Sequence, residues 1–372
     1  MQKHWLIGLV LAVGISSSGA ANAQLKIGVG APITGPNAAF GAQIQKGAEQ
    51  AAEDINAAGG ILGQKIQILV GDDHSDPKEG VSVANKFVAE GVRHVVGHYN
   101  SGVMLPASDV YKENGILAIT PGAINSRITD RPGYWNIFRT IGRDDQQAGV
   151  SVAYIVDKLA DKKIAIVHDK TTFGKGIADH VQEGINKAGI KEVLYEGINV
   201  GEKDFTAVVS KLKASHADIV FWGGVVTEGG LILRQMRDQG VSAVMMGSSA
   251  ISSSEFASIA GTGAEGTLMT FSADPRKRPE AAAVVKKFEA KNFDPESNSL
   301  FSYAAVEILK QAAERANSLD PKQMAEAMHS GKPFKTVIGD ISYDAKGDIT
   351  RLDWVIYTWK KGPDGRITYV EN

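Results

Sequence analysis

Short apolar runs alternate with longer segments of helical periodicity along most of the chain. In the first half, the apolar and β-branched stretches Leu25–Val29, Lys65–Val70, His94–Val96 and Ile116–Thr120 predict strands. Between them the spacing predicts helices over Gln43–Ala57, Pro77–Glu90 and Leu105–Glu113. The second half repeats the rhythm, with strands expected at Lys163–Val167, Glu192–Tyr195, Asp218–Trp222, Ala243–Met246 and Thr267–Thr270. Its helices are expected at Gln146–Leu159, Lys175–Ala188, Phe205–Lys213 and Glu228–Gln239. In the third of these, Phe205, Val208, Val209 and Leu212 fall at i, i+3, i+4 and i+7, an apolar stripe that leaves Lys211 and Lys213 outside. Asp204 stands just before it as a candidate cap, because a carboxylate there can accept from the free amides of the first turn.

Strands alternating with helices of this length imply parallel sheets with right-handed crossovers, so the fold class is α/β. Two successive series imply two doubly wound lobes. The last third breaks the rhythm: Pro279–Lys291, Leu300–Asn317 and Pro321–His329 read as three helices in a row. Asp353–Trp359 and Arg366–Val370, separated by Lys-Gly-Pro-Asp-Gly, then read as a hairpin. The expectation is that the chain returns to the first lobe for these helices and ends beside the second. Lobe one is then 24–142 plus 273–348, and lobe two 143–272 plus 349–372.

The first 23 residues read as an export signal rather than as fold. Lys3 and His4 precede the apolar run Trp5–Ile15, and small residues lead to Ala21-Asn22-Ala23, a signal-peptidase site with cleavage after Ala23. The run is shorter than the roughly 20 apolar residues a membrane helix needs. A length of 372 residues exceeds what one core usually holds, in keeping with two domains. The formal net charge is −2 with no large block of one sign, which argues against nucleic acid or an anionic membrane surface as partner. The chain has no cysteine, which excludes disulfides, a thiol nucleophile, thiolate metal sites and a lipid-bearing cysteine after the signal. An exported, unanchored protein stays near its cell where an outer membrane retains it, so the expected location is the periplasm.

Catalytic motifs are missing. The chain has no G-x-S-x-G, no H-E-x-x-H and no G-x-x-x-x-G-K-[ST]. Gly28-Val29-Gly30 follows a strand as a dinucleotide loop would, but Ile33 stands where the third glycine belongs. His94 and His98 are four apart, yet in an extended segment that spacing spans about 13 Å, too far for one metal. Asp72, Asp73 and Asp76 offer carboxylates for a cation, and equally a loop and helix cap before Pro77. No cofactor and no enzymatic activity are expected.

Several short segments form an ordered series along the chain. They are Gly30-Ala31-Pro32-Ile33-Thr34-Gly35-Pro36, Asp54-Ile55-Asn56-Ala57-Ala58-Gly59-Gly60-Ile61 and Gly71-Asp72-Asp73 with Asp76-Pro77-Lys78. Val96-Gly97-His98, Pro106-Ala107-Ser108-Asp109 and Ile119-Thr120-Pro121 continue the series. Ile166-Val167-His168-Asp169-Lys170 and Gly201-Glu202-Lys203-Asp204-Phe205 carry it into the second half. In this order the segments resemble the leucine/isoleucine/valine-binding family of periplasmic proteins. The resemblance implies a type I periplasmic binding protein, two doubly wound parallel-sheet lobes joined by three hinge crossings with a small-molecule ligand between them. It also implies a monomer that delivers its ligand to an inner-membrane ABC permease made of separate chains.

Tyr99, Asn100 and Ser101 lie between a strand end and a helix expected near Leu105, where ligands of open α/β sheets sit. The family places the serine that binds the ligand carboxylate at the position of Ser101; a plain helix cap is the alternative. Gly122 and Ala123 match the segment whose backbone carbonyl faces the ligand ammonium, and a tight loop is the alternative there. The remaining matched positions depart from many relatives. Ile124 stands for a threonine, Phe173, Phe40 and Val225 for tyrosines, and Ser249 for the acid that pairs with the ammonium. Glu228 is expected either to replace that acid or to be a surface residue of its helix. The departures leave the ligand open: a small or branched aliphatic amino acid, a close analogue such as 4-aminobutyrate, or an aromatic or aliphatic carboxylate lacking an α-ammonium. A ligand-sensing lobe for a membrane receptor is the remaining alternative.

Overall fold

A computed structural model describes residues 24–372; the export signal expected at 1–23 lies outside the described residues. The first sheet holds β1 (Leu25–Ala31), β2 (Ile66–Asp72), β3 (His94–Gly97), β4 (Leu117–Thr120) and β5 (Ile137–Arg139), all parallel in the order β2-β1-β3-β4-β5. Its crossovers are α1 (Ala38–Ala57), α2 (Pro77–Ala89) and α3 (Ser101–Glu113). The second half supplies α4 (Asp144–Lys158), β6 (Ile164–His168), α5 (Thr172–Lys187), β7 (Leu194–Gly197) and α6 (Thr206–Ala214). It continues with β8 (Ile219–Gly223), α7 (Val226–Asp238), β9 (Val244–Gly247), α8 (Ser254–Ala260) and β10 (Leu268–Ser272). Next come α9 (Ala282–Ala290), α10 (Ser297–Ala316), α11 (Pro321–Met328) and the short pair β11 (Phe334–Thr336) and β12 (Gly339–Ile341). The chain ends on β13 (Trp354–Lys361) and β14 (Ile367–Glu371).

The second sheet runs β14-β13-β10-β9-β8-β6-β7, with β6 to β10 parallel and the last two strands antiparallel. Its parallel part has the strand order of the first sheet, so both lobes turn over at the same place, beside their first strands. Every residue of β3, β4, β6 and β8 is buried, which is why these strands read as unbroken apolar runs rather than as alternation. The expected stripe on α6 is buried at Phe205, Val208, Val209 and Leu212. The cap is offset by one residue: Phe205 holds the cap position, while the Asp204 carboxylate accepts from the Thr206 amide at 2.9 Å.

Three short strands, β5, β11 and β12, and the short helix α8 escape the sequence pattern, because three to seven residues carry too little periodicity. α3 begins at Ser101 rather than near Leu105; Pro106 lies inside the helix, where proline usually marks a start. The helix expected from Pro279 opens as a single tight turn and becomes α-helical at Ala282.

The chain passes between the two sheets three times, after β5, after β10 and before β13. α10 packs along α1, and β13 pairs with β10. Buried charge ties the first passage to the third. Arg139, fully buried, donates from Nε to Asp348 Oδ1 at 2.6 Å, and Arg143 reaches Asp348 Oδ2 at 2.8 Å and Asp130 at 2.9 Å. The hydrogen bond from Arg143 holds the Asp130 carboxyl down at about 2.

The glycines and histidines that hinted at other chemistry have packing roles. A Cβ on Gly30 would lie 2.6 Å from the His98 ring, and one on Gly28 2.9 Å from Phe87. His94 Nε2 faces Met324 Sδ at 3.1 Å, whereas His98 sits between Asp73 at 2.7 Å and Tyr111 at 2.8 Å. Asp76 caps α2 through the amides of Lys78 and Glu79.

Candidate ligand-binding cleft

A narrow crevice of about 280 Å³, open solvent included, lies between the lobes, lined by Tyr99, Asn100, Ser101, Gly122, Phe173, Val225, Ser249 and Ala250. Each residue follows the carboxyl end of a strand: β3, β4, β6, β8 or β9. This is the crevice where open α/β sheets hold ligands, here shared by two sheets.

On the lobe-one side, Asn100 takes an extended backbone and α3 starts at Ser101. The first amides of a helix have no partner within it, so those of Ser101 and Gly102 are available to an anion. Ser101 Oγ accepts from the Asn125 amide at 3.2 Å, which leaves its own proton to donate. Asn100 Oδ1 is buried without a partner among the described residues, a ready acceptor at the cavity wall. Tyr99 stacks on Phe40 with ring centroids 4.7 Å apart. Burial, reinforced by the charge of Glu296, raises the Tyr99 hydroxyl far above its ordinary range, so it stays neutral. Gly122 is required by this ring: a Cβ there would lie 2.3 Å from Tyr99 Cδ2. Thr120 Oγ1 gathers the loop by accepting from Ala123 N at 2.9 Å, while Arg139 takes the carbonyls of Ala123 at 2.5 Å and Asn125 at 2.8 Å.

On the lobe-two side, Phe173 stands in the first turn of α5, which Thr171 caps through Gly174 N at 2.9 Å. Asp169 joins two loops: Oδ1 accepts from Thr171 N at 2.9 Å and Oδ2 from Val225 N at 3.0 Å. Burial pushes the Asp169 carboxyl up to about 6, and the nearby Glu228 charge adds to the rise. Trp222 Nε1 donates to the Val225 carbonyl at 3.1 Å and fixes the same loop from behind. Ser249 Oγ faces Gln147 Oε1 at 3.4 Å.

The cavity thus gathers Tyr99, Asn100, Ser101, Gly122, Phe173, Val225 and Ser249 from the residues the sequence singled out. Phe40 lies behind the wall, against Tyr99. Ala123 and Ile124 are fully buried and do not line it. Glu228 is not the surface residue that its place in a first helical turn allowed. It is 2 % exposed, accepts from Gly201 N at 2.8 Å and keeps Oε2 unpartnered, and it is not among the lining residues. Sequence reasoning missed Ala250, and it missed the supports Asn125, Asp169 and Arg139. The Asp169-x-Thr171 spacing before a helix was the one visible signal among these, since Asp and Ser/Thr in that pattern build turns and caps.

Two α/β lobes of like topology, with strand ends and helix starts facing one cleft, define a type I periplasmic binding protein fold. The periplasmic binding protein family matches residues 24–364, and the chain belongs to that family. It is 55 % identical to "Leu/Ile/Val-binding protein homolog 1" of Brucella melitensis over the full length of both chains. It is 48 % identical to "Amino acid binding protein" of Pseudomonas aeruginosa, over 94 % of this chain and 95 % of that one. Among solved structures it is similar to the branched-chain amino acid transporter substrate binding protein LivJ from Streptococcus pneumoniae in complex with isoleucine. That likeness has a TM-score of 0.82 and 26 % identity, and covers 94 % of this chain and 100 % of that one.

Proposed function

We propose that this protein captures a branched aliphatic amino acid in the periplasm and delivers it to the permease of an ABC importer. The carrying observation is the pairing of two walls. Ser101 and the start of α3 form an anion site, and Phe173, Val225 and Ala250 form an apolar surface opposite. The ligand carboxylate sits on the Ser101 hydroxyl and the free amides, and its side chain meets the apolar wall. The ammonium is held by neutral acceptors, namely Asn100 Oδ1, the Gly122 carbonyl and Ser249 Oγ. The names of the relatives support the ligand class. Lobe one (24–142 plus 273–348) and lobe two (143–272 plus 349–372) close about the three passages. Closure is a population shift driven by contacts that the closed form alone makes.

A second reading has its own observation: none of the described residues lining the cavity is acidic. Burying an ammonium without a carboxylate partner costs several kcal/mol unless enough acceptors surround it. A carboxylic acid lacking the amine avoids that cost. A thermal-shift panel of leucine, isoleucine, valine, 4-aminobutyrate and aliphatic or aromatic acids separates the readings. Ligand at ~100 times its dissociation constant adds about 2.7 kcal/mol of stability. The amino-acid reading expects the largest shift from the branched amino acids, and a response confined to acids without an amine defeats it.

A further inference from the structure

Asn125 lies in the loop after β4, 3 % exposed, and each of its polar atoms is engaged. Its amide donates to Ser101 Oγ at 3.2 Å, its carbonyl accepts from Arg139 Nη2 at 2.8 Å, and its Oδ1 accepts from Arg127 N at 3.1 Å. Nδ2 donates twice, to Asp144 Oδ2 at 2.8 Å and to the Thr172 carbonyl at 3.0 Å. These partners belong to separate parts of the machine. Ser101 is the anion site of lobe one, Arg139 and Asp144 flank the first passage, and Thr172 opens α5 of lobe two beside Phe173. The lobes approach each other closely here: a Cβ on Gly176 of α5 would lie 2.5 Å from Asn125 Nδ2 and 3.2 Å from Asp144 Oδ2.

We propose that Asn125 is a positioning residue that couples closure of the cleft to the anion site. Its side chain latches lobe two through the Thr172 carbonyl. Its backbone amide occupies a lone pair of Ser101 Oγ, so that hydroxyl turns its proton toward the ligand. One short segment therefore registers both the distance between the lobes and the readiness of the carboxylate donor. The inference deepens the proposed function and rests on it.

Two variants test it. Asn125→Asp keeps the backbone bonds and the acceptor for Arg127 but replaces the Nδ2 donor with an acceptor, facing the Asp144 carboxylate and the Thr172 carbonyl. The ionisable groups around it are Asp144 on α4, His180 on α5, whose Nε2 is 3.7 Å from Asp144, and Arg139 on β5. At about pH 7.5 the ionised variant loses L-leucine affinity on the order of tenfold or more, and protonation near pH 5 restores the donor and most of the affinity. Wild type titrated over the same range is the reference for the neighbouring groups, among them Asp144, whose carboxyl is pushed up by burial. Gly176→Ala presses on the latch from lobe two while leaving Asn125 itself unsubstituted, and its methyl must displace the Asn125 side chain. Alanine suits a helix better than glycine, which offsets part of the cost of the 2.5 Å approach, so this variant stays folded while affinity falls.

Closure is read directly by spin labels on cysteines placed at Lys46 in α1 and Lys187 in α5, both exposed, in a chain with no other cysteine. Both variants shift the label distances toward the open form, and Asn125→Asp returns toward wild type in acid. Wild-type distances in either variant overturn the proposal, as does an Asn125→Asp defect of equal size at both pH values. If L-leucine fails to bind wild type, the proposed ligand is wrong, and the label distances, compared among wild type and variants without ligand, still decide for or against the latch.

Discussion

The two walls of the cleft are built on the same strand order and do opposite work. Lobe one presents polar groups with spare bonding capacity: a serine proton, an unpartnered asparagine oxygen and helix-start amides. Lobe two presents a phenylalanine, a valine, an alanine and a serine whose hydroxyl faces Gln147. The acids of lobe two stand behind its wall, where Asp169 braces the Phe173 and Val225 loops and Glu228 raises its carboxyl. Under the proposed function, lobe one binds the ligand's carboxylate and lobe two meets its apolar tail.

The largest way to break the comparison is to free the lobe-one loop from its anchor. Arg139→Met leaves Asp348 buried without this partner and releases the carbonyls of Ala123 and Asn125. Breaking a buried ion pair costs about 3–5 kcal/mol, so denaturant and thermal midpoints both fall well below wild type. Unchanged midpoints would show that the charge cluster does not hold the passages.

The brace in lobe two is tested by pH. Asp169 titrates near 6 in the folded protein against 3.8 as a free side chain, so between those values the folded state binds the extra proton. Stability carried by this group is therefore greatest below about pH 4, declines through pH 6 and is level above it, a span of about 3 kcal/mol. Asp169→Asn removes that slope, whatever its effect on absolute stability, and chemical denaturation from pH 4 to 7 compares the two. A variant with the wild-type slope would contradict the assignment.

A smaller effect is expected at the anion site. Ser101→Ala deletes one hydrogen bond to a charged group, worth about 1.5–3 kcal/mol, and calorimetry with L-leucine reads it as a loss of binding. Wild-type affinity would remove Ser101 from the site. The smallest expected effect is at Glu228. Because Glu228 stands behind the wall, Glu228→Gln changes affinity for leucine and for 4-methylpentanoate alike. A loss confined to leucine would make Glu228 the ammonium partner after all.

The same contrast explains what was legible in the sequence. Long elements with a buried face, such as α6 with Phe205 to Leu212 or the runs at β6 and β8, read plainly because periodicity reports burial. The cavity's wall positions read through the resemblance of short loops after strand ends. The bracing residues did not. Asn125, Asp169 and Arg139 act through partners as distant in sequence as Thr172, Val225 and Asp348, and no local pattern encodes such a meeting. Glu228 failed for the same reason, since an acid in a first helical turn looks solvated until Gly201 from another loop is laid over it. Ala123 and Ile124 sit next to Gly122 in sequence, yet both turn into the core.

The division of labour between the walls is tested most directly by calorimetric titration of the wild-type protein with L-leucine and its two half-molecules, 4-methylpentanoate and 3-methylbutylamine. The account predicts that leucine binds best, the acid binds measurably and the amine does not bind. Binding of the amine with none of the acid would contradict it.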